Sequence, residues 1–191
     1  MLNTRSNSRS SGAAMLATVA TILLLTGSVC VAAMHFLFAG RQLASQQLDR
    51  EIAFRAADVA LHDAETDLIA ATVAHGDRFA TWPAPGECGV GAQRGICRSN
   101  ASAPVWQPWL EGAHLDAVPA IVSGTFTGAR MPVFTGAVAG ASTPPRYVIE
   151  VVDKQVTAIP DAAAWPRFRI TALGVGRDPD VRTLLQTEFQ P

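Results

Sequence analysis

Two cysteines are the residues of this 191-residue chain best placed for covalent chemistry. Cys88 and Cys97 bracket a glycine-rich stretch, Cys88-Gly89-Val90-Gly91 to Gly95-Ile96-Cys97, with eight residues between them. In an oxidising compartment such a pair closes a disulfide. Closing that ten-residue loop would stabilise the fold by about 2.5–3 kcal/mol on the loop-entropy estimate. Two free thiols are the rival reading. A zinc site would need His or further Cys close by, and the neighbouring sequence has neither. The third cysteine, Cys30, lies in an apolar run and reads as a small apolar residue.

The other candidates do not assemble into a reaction. His35, His62, His75 and His114 stand in no nucleophile motif, and no Gly-x-Ser-x-Gly occurs. Gly174-Val175-Gly176 is too short for a phosphate loop and leads from a strand into a turn, where a phosphate loop opens a helix. Lys154 is the single lysine. Asp178-Pro179-Asp180 with Asp161 offers carboxylates for Ca²⁺, but Asp and Pro also favour turns for backbone reasons, and the turn is the preferred reading. Asn100-Ala101-Ser102 is a glycosylation triplet of a kind common by chance. Trp106 and Trp109 flank Pro108 and read as anchors on a core, with carbohydrate stacking as the alternative. These residues predict no catalytic site, no metal and no cofactor.

The elements that hold them divide sharply by polarity. The chain is 49% hydrophobic and 16% charged, against about 25% charged in ordinary soluble domains. Disorder needs the opposite balance. With 15 basic against 16 acidic residues, no nucleic-acid partner is predicted. Much of the apolar excess lies between Ala13 and Ala39, 27 residues without Asp, Glu, Lys or Arg. As a helix this run reaches roughly 40 Å, more than the ~30 Å hydrocarbon core. We read residues 13–39 as a single transmembrane helix. A cleaved signal peptide has a shorter apolar stretch and a small-x-small exit, for which Ala32-Ala33-Met34 is poor. Arg5 and Arg9 precede the run, whereas Arg41, Asp49, Arg50 and Glu51 beyond it nearly cancel. The positive-inside rule then predicts a cytoplasmic N-terminus and an outer head. Ala17, Ala20, Gly27 and Ala32 supply small side chains suited to close helix packing. His35 lies near the outer end and reads as snorkelling to the interface.

The helix is predicted to continue through residues 40–75. Leu48, Ile52, Ala56, Val59, Ala60, Ala64, Leu68 and Ala71 recur in steps of three and four, the mark of an amphipathic helix. Arg50, Arg55, Asp58, Asp63 and Asp67 are assigned to other faces. Gly76, then Trp82-Pro83 and Pro85-Gly86, end it. Residues 76–191 are expected to hold a loop region with the cysteine pair, followed by a C-terminal antiparallel sheet. Ile121–Ser123 and Met131–Phe134 are short candidate strands. Arg146–Val152 is rich in β-branched residues, Arg167–Gly174 alternates, and Val181–Phe189 follows the turn at 177–180. The fold class is α+β, with the outer half of the helix covering the sheet.

Two stretches carry a family resemblance. Arg9-Ser10-Ser11-Gly12-Ala13-Ala14-Met15-Leu16 resembles the cleavage region of type IV prepilin-like proteins, a short basic leader ending in Gly before an apolar helix. Asp49 to Glu65 is similar to the R-x-x-A-F-x-A-A-E-x-A-L-x-x-A-E signature of the PilX family of minor pilins, through Arg50, Ala53, Phe54, Ala56, Ala57, Ala60, Leu61 and Glu65. The strand Phe168-Arg169-Ile170-Thr171-Ala172 with Gly174, and the hairpin after it, also resemble that family. Residues 76–145 carry no such likeness.

The resemblance implies a pilin-like fold, a long N-terminal helix (membrane half and periplasmic half) packed on a small antiparallel sheet. It implies that residues 1–12 are a leader removed by a prepilin peptidase between Gly12 and Ala13, with N-methylation of Ala13. It implies an inner-membrane protein with a periplasmic head that later enters a pilus. Its expected partners are the other minor pilins, the major pilin, the peptidase and the inner-membrane assembly platform. One position departs from the major-pilin pattern. The fifth mature residue is usually Glu, which can pair with a neighbouring subunit's N-terminal ammonium; here it is Ala17. That departure points to assembly initiation or the tip. A type II secretion pseudopilin and a single-pass anchored periplasmic binding module are the alternatives.

Overall fold

The computed structural model describes residues 8–73, 78, 82–98, 103–129, 140–152 and 167–189. The chain divides into two compact units, Met1–Gln47 and Leu48–Pro191. One helix, α1 (Ser8–Val73), supplies the described part of the first unit and opens the second.

In the first unit the helix has no proline to break it. Its few polar side chains turn back on their own backbone: Thr18 Oγ1 donates to Met15 O at 2.8 Å and Ser28 Oγ to Leu25 O at 2.8 Å. Such bonds leave an apolar exterior. Leu24 is 74% exposed and Phe36 79%. An 18-residue window reaches a mean hydropathy of 2.2, so the helix is long and apolar enough to cross a membrane.

The second unit packs the last turns of α1 on a mixed five-stranded sheet. Its strands are β1 (Ile96–Arg98), β2 (Ile121–Val122), β3 (Arg146–Val152), β4 (Arg167–Val175) and β5 (Arg182–Phe189). The order is β1-β3-β4-β5, and β2 also pairs with β3. The pairs β2–β3, β3–β4 and β4–β5 are antiparallel, as the sequence predicts. The short β1 adds the parallel pairing, Cys97 opposite Glu150, inside what the sequence reads as loop. The short helix α2 (Gln107–Leu110) and the 3-10 turn Leu115–Ala117 belong to a cap, residues 103–118, on the sheet face away from α1.

Alternation along the strands builds two cores. Tyr147, Ile149, Val151, Phe168, Ile170 and Ala172 face Ala60, Ala64 and Leu68 of α1. Val148, Leu173 and Cys97 face Trp109 and Val118 of the cap and Ala120 just beyond it. Both faces of β3 are covered, which is why it reads as a nearly continuous apolar run.

The helix face differs from the predicted stripe. Ala53, Ala56, Ala57, Ala60 and Ala64 are fully buried, while Leu48 is 47% exposed and Val59 40%. Gly174 gives the reason. A Cβ there would run into Ala53 O and Ala57 N, so the helix backbone lies directly on β4. Only small residues permit that approach, and the bulkier Leu48 and Val59 rotate outward. Asp63 and Asp67, assigned by sequence to outer faces, are buried. The predicted helix end at His75–Gly76, the strand at 131–134, Lys154, Asp161, the triplet 100–102 and residues 1–7 of the leader lie outside the described residues.

Candidate functional site

Three aspartates on α1 fix the helix to the head. Asp49 Oδ1 accepts from Arg177 Nε at 2.6 Å, joining the helix to the β4–β5 turn. That bond holds the Arg177 guanidinium above its usual range. Asp63 Oδ2 accepts the Gly124 N–H at 2.6 Å, and its other oxygen accepts from the Thr127 hydroxyl. Gly124 sits at φ +84°, and a Cβ there would meet Ala129 O, so this turn requires glycine.

Asp67 is the hub. Its Oδ2 accepts from Arg78 Nη2 at 2.8 Å, from Arg78 Nε at 3.1 Å and from the Tyr147 hydroxyl at 3.0 Å. Arg78 Nη1 also donates to Ala92 O at 2.5 Å and Arg94 O at 3.2 Å, and its guanidinium lies 3.5 Å above the Phe126 ring. One buried arginine therefore ties the helix, the cysteine loop and the 121–129 turn together. Burial raises the Asp67 carboxyl above the usual range, against the opposing charge and hydrogen bonds of Arg78 and the Tyr147 bond. Burial and the neighbouring Asp67 and Asp63 charges raise the Tyr147 phenol.

Cys88 and Cys97 are joined as a disulfide, with Cα atoms 4.0 Å apart. The bridge closes a hairpin in which Gly89 N donates to Ile96 O at 2.8 Å and Arg98 N to Glu87 O at 3.0 Å. Asp178 Oδ1 accepts the Asp180 N–H at 3.0 Å, so that carboxylate serves its own turn. Trp109 is buried and donates to Leu115 O at 3.2 Å, within the cap.

The sequence-assigned residues separate by unit. Gly12, Ala13, Ala17, Ala20, Gly27 and Ala32 are exposed along α1 in the first unit. Ala53, Ala56, Ala57 and Ala60 face the sheet, and Leu61 packs at the core margin. Arg50 and Phe54 point outward, and Glu65 is half-buried with Oε2 3.4 Å from His62 Nδ1. The stretch from Arg50 to Glu65 is thus mainly a seat for the sheet. Sequence reasoning missed Asp63, Asp67, Arg78 and Tyr147. The available signal was an i, i+4 aspartate pair at steps shared with Ala56, Ala60 and Ala64.

An apolar helix long enough for a membrane, continued into a unit where it packs on a small sheet, defines a pilin-like α+β protein. Residues 93–191 match the family described as Type IV pilus assembly protein PilX C-term, a match that takes in all five strands and the cap. The chain belongs to this PilX family, and the match supports a type IV pilus-associated minor pilin. No curated protein and no solved structure matches the chain.

Proposed function

We propose that this minor pilin acts in the initiation of pilus assembly or at the pilus tip. A prepilin peptidase cuts between Gly12 and Ala13, Ala13 is N-methylated, and residues 13–39 anchor the chain in the inner membrane with the head in the periplasm. In the assembled pilus the small side chains Ala17, Ala20, Gly27 and Ala32 meet the helices of the major pilin and the other minor pilins. The assembly platform draws on residues 13–39, and the head from residue 48 onward stays folded throughout.

Residue 17 is the observation that carries the initiation or tip role. A carboxylate at this depth in lipid is costly unless it is paired, and a repeating subunit gains its pair from the neighbour's N-terminal ammonium. Ala17 neither needs nor offers that pair, which suits a subunit with no earlier subunit to match. The test has two arms. N-terminal analysis of the membrane-extracted protein should begin at Ala13 when the peptidase is present, and retention of residues 1–12 there would overturn the reading. Ala17→Glu should change incorporation or pilus number; if both match wild type, the initiation role is wrong.

A further inference from the structure

Glu150 is a buried acid that the proposed pilus role does not use. It lies in the middle of β3, fully buried, on the sheet face covered by the cap. Its Oε1 accepts the Val105 N–H of the cap at 2.9 Å. Among the described residues no well-formed hydrogen bond reaches Oε2, and the nearby buried Nε1 of Trp106, the next cap residue, adds only a weak pull on the carboxylate. A buried carboxylate needs two or three good donors to hold its charge, and this one has a single well-formed bond.

The groups around it are few. Cys97, opposite Glu150 on β1, is locked in the disulfide and does not titrate. Arg169, opposite it on β4, has a 27% exposed side chain and reaches outward to Glu188 of β5 at 3.4 Å. Burial raises the Glu150 carboxyl above the usual range, and the Val105 N–H, the Arg169 charge and the Trp106 indole only partly offset it. Half-buried Cys88, Val105 and Trp106 pack on the same apolar cluster as buried Cys97, so the cap that rests on Glu150 also packs against the disulfide.

We propose that Glu150 is a proton-operated latch: its protonated form seats the 103–118 cap over the Cys88–Cys97 disulfide, and its ionisation lifts the cap and opens the disulfide to reagents in solution. In the closed state the carboxyl is buried with one well-formed hydrogen bond and keeps its proton. In the open state it is hydrated and ionises as an ordinary glutamate. Wherever the closed state holds more protons than the open state, the opening constant grows as pH rises.

The cap's other ties do not titrate in the same sense. Arg182 Nη1 donates to Ala113 O at 2.9 Å. Asp116 accepts from Arg146 Nη1 at 2.6 Å, and that guanidinium holds its carboxyl below the usual range, so it stays ionised throughout. Glu111 is exposed and accepts from Gln107. His114 is exposed and lies 3.4 Å from Asp116, so its replacement serves as the control.

The test follows reduction of the disulfide in the full chain in detergent, using a phosphine reductant between about pH 5 and pH 8, with oxidised glutathione reporting the reagent's own pH dependence. The normalised rate should climb with pH by about tenfold or more across the window. Glu150→Gln should hold it low and flat, and His114→Gln should keep the wild-type profile. A flat wild-type profile, a slope that survives Glu150→Gln, or a slope lost in His114→Gln would overturn the latch. Should Glu150→Gln not fold, hydrogen exchange of the wild-type chain decides. Cap amides opening in step with reduction while β4 stays protected support the latch, and cap and β4 opening together overturn it.

Discussion

Between residues 13 and 39 the side chains of α1 face outward on every side, and Leu, Val, Ile, Met and Phe stand exposed. Between residues 49 and 71 the same helix presents alanine to a sheet, and its buried polar groups are aspartates with partners far along the chain. In the first stretch hydrophobicity is a property of the surface, fit for lipid or for other helices. In the second it is a property of shape: small residues let two backbones approach, and specificity comes from three pinned carboxylates. Helix propensity does not distinguish the two stretches. What the side chains are built to touch does.

Removing the hub should separate the stretches most. Asp67→Ala strands the buried Arg78 guanidinium. It should destabilise the second unit by about 3–5 kcal/mol, read as a lower denaturant midpoint for the near-ultraviolet tryptophan signal, with the helical signal of residues 13–39 unchanged. Next in size is the disulfide. Cys88→Ala with Cys97→Ala should cost about 2.5–3 kcal/mol by the same measurement. Glycine then offers an internal control. Gly174→Ala drives a methyl into the α1 backbone and should cost about 1–3 kcal/mol. Gly27→Ala meets nothing within 4 Å and should leave the head's melting temperature unchanged.

Acidity should give the smallest effect. Glu150 and Asp67 have carboxyls raised in the folded chain, so their contribution to stability is complete below their unfolded pKa values and falls as pH rises through the folded ones. Asp116, lowered by Arg146, behaves oppositely and contributes above its unfolded value. The melting temperature of the head should therefore be higher near about pH 5 than near pH 8. Glu150→Gln should shrink that difference, and an unchanged difference would remove Glu150 from the account.

The contrast also explains what was legible in the residues. An uncharged run of 27 residues can be seen locally, and so can the alternation of Arg167–Gly174, because each pattern reports its own environment. The helix stripe holds at Ala56, Ala60, Ala64 and Leu68 and fails at its edges. Periodicity places Leu48 and Val59 on the face that Ala53 and Ala57 take instead, because the deciding residue, Gly174, is more than a hundred positions away. Asp63 and Asp67 looked like solvent-facing charges because their partners, Gly124, Thr127, Arg78 and Tyr147, are joined to them only by the fold. β1 escaped notice because three residues in a glycine-rich loop give no period, and its strand character exists only beside Ile149–Val151.

The three aspartates have a mechanical consequence. Asp49 grips the β4–β5 turn, Asp63 the 121–129 turn, and Asp67, through Arg78, the cysteine loop, three separate parts of the head. A force applied along the axis of α1 meets all three attachments at once and in shear, so they share the load. A force that lifts the helix away from the sheet meets them one after another, as a zipper opens. The three ties therefore resist force along the helix together and force across it in turn, with the buried alanine face resisting both.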